Sequence, residues 1–396
     1  MNTIYGLACQ DDYILDPFGP PQDPFGNSNA RDHIQNMTTL REIFRKEPTD
    51  GLDLRFLLRF TTHVRCTDPR DKVYALLGLA TRRDQKGIRV NYSRGTARVY
   101  ATVARYMMQE CPTSILRDEY PRRSGIRYDP ADEGSLPSWV ADYSFEMKRS
   151  QSPILLHYNS KLHPLAAEGS SKGRTADIDQ FTQEYYELQV QGVSFDTVNV
   201  AYIGGDCKRP SDSRKSVIDL DALCKHIPPL LDSTTHLASP LAKLDHTGAF
   251  WNTVLLHRHP RQSRWRRPQA VQELLASSAS LPFAPRPQIM QADLDAGLSG
   301  DESDLVDVYR EFDMAMEDAA LFVTASGFFG LGPTIVEPSD RVVVLFGGQV
   351  PFVLRPTGEH GKYTFVGHCY VHGIMDGEMI ELLDQGLLTS ESFVLI

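Results

Sequence analysis

Apolar positions along the chain recur with two periods, and the change from one to the other divides it. From about residue 29 to 112 the spacing is helical. Ile34, Met37, Leu40, Ile43 and Phe44 share a face, in a helix that starts near Asn29 to Asp32. Leu54, Leu57 and Leu58 predict a second helix, and Val73, Leu76 and Leu77 a short third. Val99, Tyr100, Val103 and Met107 form the buried stripe of a fourth, with Ser93 as its N-cap. Further on, Tyr186, Leu188 and Val190 alternate with Glu187, Gln189 and Gln191, as in a half-buried strand. Gly192 reads as a break, after which Val193, Phe195, Val198, Val200 and Tyr202 predict a second strand. Residues 211–290 return to a helical texture, with Val217, Leu220, Leu223 and Cys224 on one face. Leu305, Tyr309, Phe312 and Met316 line a later amphipathic helix.

The last 75 residues are the clearest β region. The pattern predicts strands over 321–324 and 341–346, a turn at Gly347 and Gly348, and a return over 351–355. A longer strand is predicted over 362–371, with Phe365, Gly367, Cys369 and Val371 on one face. The expected fold is therefore α+β: an N-terminal helical assembly followed by a mainly antiparallel β domain with a helical insertion. An irregular segment spans 1–30, rich in Pro, Gly, Asp and Asn, and the helical region spans 31–150. The β domain spans 151–396, with strands over about 153–205 and 320–396 and the insertion over about 211–318.

One stretch has an unusually complete set of helix signals. Asp68 is placed as N-cap, Pro69 at N1 and Asp71 at N3, where a carboxylate meets the positive end of the helix dipole. Gly78 suits a left-handed residue past the helix end. Arg70 stands between these acids, either as a surface charge or as a guanidinium fixing a neighbouring loop. Tyr74 lies on the same short helix. Trp139, in a turn-rich segment, reads as an anchor of that loop against the helices, with ligand stacking as the alternative.

Composition narrows the function classes. The 396 residues are 41% hydrophobic and 23% charged, as in a globular protein, and the net charge of -10 argues against nucleic acid or an anionic membrane as partner. No apolar run approaches the roughly 20 residues needed to span a bilayer. The start carries no basic segment with a long apolar core, and the six cysteines show no C-x-x-C spacing, so reduced thiols in the cytoplasm are expected. Arg258, Arg261, Arg264, Arg266 and Arg267 surround Trp265, while ten acids lie between Asp293 and Asp318. The arginine stretch reads either as a basic loop that pairs with the acidic one or as an anion or nucleic-acid patch with Trp265 as its platform, the first being favoured, and both stretches offer charged contacts to a protein.

Candidate chemistry is sparse. His368 and His372 flank Cys369, but on a strand four residues span about 13 Å, too far for two ligands of one zinc ion unless the strand breaks. A nucleophilic Cys369 would need a base from another element. Gly327, Gly330 and Gly332 read as a turn, because Pro333 and the strand-like Thr334, Ile335 and Val336 follow where a phosphate loop needs a helix. No cofactor or metal is called for, and an enzyme is the less favoured expectation.

The stretch from Asp68 to Leu79 also resembles the segment following the effector domain in fungal heterokaryon incompatibility (HET) domain proteins. Three further groups of residues match in order. The first is Asn91, Tyr92 and Ser93; the second runs from Leu136 through Trp139 to Ser144. The third comprises Gly330 to Pro333 and Phe365 to Met375. The effector domain, with its tryptophan-rich opening motifs, has no counterpart here. The resemblance implies an accessory recognition or regulatory region in nonself recognition coupled to programmed cell death. An enzyme or small-molecule binder with a site in the β domain is one alternative, and a truncated gene product another.

Overall fold

A computed structural model describes residues 51–61, 66–110, 135–144, 187–203, 319–348, 350–375 and 377–396, together with positions 38, 40–43, 45, 64, 116 and 253. Most of the helix predicted from residue 29, the strands predicted from 153 to 186 and the insertion over 211–318 lie outside the described residues.

Among the described residues, the helices that precede the strands include α1 (Leu54–Phe60), α2 (Asp71–Tyr74), α3 (Arg82–Gly87) and α4 (Thr96–Glu110). Helix α1 opens on Asp53, whose side chain accepts from the Phe56 N–H. Helix α3 opens on Thr81, whose hydroxyl accepts from the Asp84 N–H. Helix α4 buries Val99, Tyr100, Val103 and Met107 as its spacing predicts. Its start differs from expectation. Ser93 does not cap it; instead Asn91 turns the preceding loop, accepting from both the Ser93 N–H at 2.9 Å and the Ser93 hydroxyl at 2.7 Å.

Among the described residues eight strands follow: β1 (Leu188–Ile203), β2 (Ala319–Thr324), β3 (Phe329–Pro333), β4 (Arg341–Leu345), β5 (Phe352–Pro356), β6 (Lys362–His368), β7 (Tyr370–Val371) and β8 (Glu391–Leu395), with α5 (Glu378–Asp384) between the last two. The pattern of residues did not announce α5 or β8, which are short. All pairings are antiparallel except β6 with β8. The 341–355 hairpin forms as predicted, with Val342 opposite Val353 and Gly347 at positive φ in the turn.

Strand β1 joins the C-terminal strands, and through it the sheet curls into a barrel. One edge of β1 meets β8 and then β2, and the other meets β4. From β4 the ladder runs through β5 to β6, and from β2 through β3 to β7. Two bulges, at 194–196 and 198–200, bend β1 as it passes from one set of partners to the next. Gly192 is therefore not a break. It pairs with Glu391 on one side and Leu345 on the other, and a Cβ there would stand 2.5 Å from the Val344 carbonyl oxygen. A glycine lets the backbones close in, so the two predicted strands are one.

Two other expectations change. The run 362–371 breaks at Cys369: β6 pairs with β5, whereas β7 pairs with β3. Gly330 and Gly332 are strand residues of β3, not a turn, because the Phe322 ring lies over them and occupies the space that side chains would need. The strand expected at 334–336 is a turn, closed by Val336 N–H donating to the Pro333 carbonyl.

The core has two parts. One unites Leu57, Val73, Tyr100 and Trp139 of the helical region with Val343, Phe352, Leu354, Phe365 and Phe393 of the strands. The other lies among strand residues including Val193, Phe322, Val342, Val353 and Val371, capped by Met379 and Leu382 of α5.

Candidate functional site

Residues 68–74 meet the 91–94 loop in a dense polar cluster. Asp68 is not the N-cap expected of it: α2 begins at Asp71 with Arg70 as N-cap and no side-chain cap bond, while the Asp68 Oδ1 accepts from the Arg70 N–H at 3.0 Å in the turn before it. The helix that follows has only four residues, because turns take over beyond Tyr74, and Gly78 is exposed and not left-handed. Of the predicted stripe, Val73 and Leu77 are buried and Leu76 only half so.

Arg70 is the hub. Its guanidinium forks onto Asp68, Nε to Oδ1 at 2.9 Å and Nη2 to Oδ2 at 2.7 Å. Its Nη1 donates to the carbonyls of Tyr92 and, at 2.9 Å, Arg94. The same guanidinium lies 5.2 Å from the centre of the Tyr92 ring. Tyr92 in turn donates to Asp71 Oδ1 at 2.5 Å and meets the Tyr74 ring edge-on at 5.2 Å. Tyr74 donates to the Asn91 carbonyl and accepts from the Asn91 N–H. From α4, Tyr100 donates to the Pro69 carbonyl at 2.6 Å. Of the two readings of Arg70, loop fixation is the one the geometry displays.

The electrostatics match this role. Hydrogen bonds from Arg70 hold the Asp68 carboxyl below its ordinary range. The bond to Asp71 pushes the Tyr92 hydroxyl up, and burial does the same to Tyr100. Each of these shifts favours the form that keeps the cluster bonded. Four guanidinium N–H groups of Arg70 already have acceptors. What the cluster presents outward is the Tyr92 side, with that residue 51% exposed.

Trp139 is fully buried, which matches the anchor reading and leaves no ring face open to a ligand. The Arg105 guanidinium sits 5.7 Å from its ring and donates through Nη2 to the Glu187 carbonyl at 2.6 Å. Beside it, Tyr143 packs edge-on against Tyr100 at 5.0 Å. Residue spacing alone gave no sign of the Tyr100, Arg105 and Tyr143 contacts, since their partners are remote in sequence.

The other candidates separate. His368 ends β6, Cys369 lies in the break, and His372 follows β7 with its Nδ1 3.0 Å from the Tyr370 hydroxyl. Cys369 is wholly buried, and burial pushes its thiol well above the ordinary range, the opposite of an activated nucleophile. Among the described residues, no three or more His, Cys, Asp or Glu side chains gather to hold a metal ion. No described helix is long and apolar enough to cross a membrane. The arginine-rich 258–267 and acidic 293–318 stretches lie outside the described residues.

Residues 289–386 match a family described as the Het-6 beta-barrel domain. The chain is also 25% identical, over 388 aligned residues, to heterokaryon incompatibility protein 6, OR allele, of Neurospora crassa. That alignment covers 86% of this chain and 53% of the relative, so the chain spans about half the length of the curated relative it matches. No solved structure matches. By these two matches the chain is similar to heterokaryon incompatibility proteins, with the barrel domain matched in its C-terminal region.

Proposed function

We propose that this chain acts in fungal nonself recognition as a regulatory region that works by contact with another protein, not by catalysis of its own. The observation that carries this reading is the similarity to an incompatibility protein across 86% of the chain, through both the helical and the barrel parts. The chemistry of the described residues supports a non-catalytic role. The polar cluster around Arg70 is spent on internal bonds, and the Cys369 thiol is buried and held protonated. The contact is assigned to the charged stretches at 258–267 and 293–318, in the cytoplasm, with cell death as the downstream outcome.

The test is expression of the chain in fungal cells with and without a cognate HET domain, scored by viability. Death that requires the HET domain, and that changes when the charges at 258–267 are reversed, is the expected result. Death from this chain alone, abolished by Cys369→Ala or His368→Ala, would overturn the proposal in favour of an enzyme.

A further inference from the structure

The joint where β6 meets β8 is short. The strands run parallel there and share two register pairs, Lys362 with Val394 and Tyr363 with Leu395. Main-chain bonds from Val394 N–H to the Gly361 carbonyl and from Ile396 N–H to the Tyr363 carbonyl, both 3.0 Å, carry the joint. In a regular ladder the next donor on that edge of β6 is the Phe365 N–H, two residues past Tyr363. Here it finds a side chain in place of a carbonyl: the Ser138 hydroxyl oxygen, at 2.7 Å. The same hydroxyl donates to the Ile396 main-chain oxygen, and the Ser138 N–H donates to that oxygen at 2.9 Å. Ser138 thus supplies the rung that would otherwise be missing and ties both sides of the joint together.

The segment that delivers Ser138 is anchored on the helical region. Its neighbours Pro137, Trp139, Val140 and Ala141 are buried, and Tyr143 packs edge-on against Tyr100 of α4. Arg105, also on α4, stacks on Trp139 and bonds the Glu187 carbonyl at the start of β1. We infer that the segment 135–144 is a strap that fastens the β6–β8 seam and makes closure of the barrel depend on how the helical region is seated. Movement of α4 relative to the strands would draw Ser138 out of the seam, leaving Phe365 N–H without its acceptor while the hairpin of β4 and β5 stays shut.

Amide hydrogen exchange on the whole chain tests this. In Ser138→Ala, the Phe365 amide should exchange at least about tenfold faster, because a buried donor has lost its acceptor, and the Ile396 amide should speed up with it, because the Ser138 hydroxyl no longer holds the Ile396 main-chain oxygen in the seam, while amides of the β4–β5 hairpin keep their rates. Tyr143→Ala, at the helical end of the strap, should accelerate the same two amides severalfold relative to the hairpin. The wild-type chain gives a second measurement that survives failure of either variant to fold. In it, Phe365 and Ile396 should open together and more readily than the hairpin amides. Unchanged seam rates in Ser138→Ala, an equal rise in every strand, or wild-type seam amides that exchange only together with the hairpin would each overturn the strap. No response to Tyr143→Ala would overturn its dependence on the helical region.

Discussion

Gly330→Ala isolates one packing contact of the barrel. Residue 330 lies in β3 opposite Phe322 of β2, and its φ is not in the left-handed region, so alanine meets no backbone obstacle. On backbone grounds alone the change would stabilise by about 0.4–1 kcal/mol. The obstacle is the ring. A Cβ would stand 2.2 Å from Phe322 Cζ and 2.5 Å from Cε2, far inside contact distance. Phe322 is fully buried and its ring also faces Gly332, so it has little room to turn aside. Overpacking of this kind costs about 1–3 kcal/mol, which at the middle of both ranges leaves a net loss of about 1.3 kcal/mol. Urea unfolding followed by tryptophan fluorescence would register it as a lower midpoint with an unchanged slope. In a Phe322→Leu background, the same substitution should cost at least about 0.5 kcal/mol less, the signature of direct coupling. Gly78→Ala is the control: nothing lies within 4 Å of its Cβ and its φ is ordinary, so it should be neutral or slightly stabilising. A neutral or stabilising Gly330→Ala, or one equally costly in both backgrounds, would refute the argument that the ring excludes a side chain.

Two more outcomes are open to measurement. Leu77→Ala should cost about 2–5 kcal/mol as a buried large-to-small change, and half-buried Leu76→Ala clearly less; equal losses in an unfolding titration would contradict the burial of the short helix. Tyr106 donates to Asp84 Oδ1 at 3.0 Å, and burial first, then the Asp84 charge, pushes its hydroxyl from 10.0 up to about 12. A raised folded value means that its contribution is whole below pH 10.0 and is lost as pH rises through about 12. Stability of the wild type should therefore fall over that window more steeply than that of Tyr106→Phe, and parallel curves would show that the tyrosine does not contribute.

Much of the local structure follows from the residues alone, because its causes are local. The period of Val99, Tyr100, Val103 and Met107 gives α4, and Asp68 binds the amide two residues on. Val342 and Val353, with a glycine turn between them, set the hairpin. The local pattern misleads where a residue answers to a partner distant in sequence. Gly192 and Gly330 resemble breaks by composition, yet each lies in a strand because another backbone or a ring needs the space of the absent Cβ. Gly78 resembles a helix stop, yet the turns past Tyr74 require no left-handed residue. The break at Cys369 exists because β6 and β7 serve different neighbours, a fact of ladder order and not of alternation. Arg70 could be a surface charge or a clamp by sequence; only the return of 91–94 to its guanidinium decides between them. The place of Ser138 depends on contacts 227 and 258 residues away, at Phe365 and Ile396. Periodicity and capping act within a few residues, so they are written in the chain, whereas ring closure and seam contacts exist only once remote segments have been brought together.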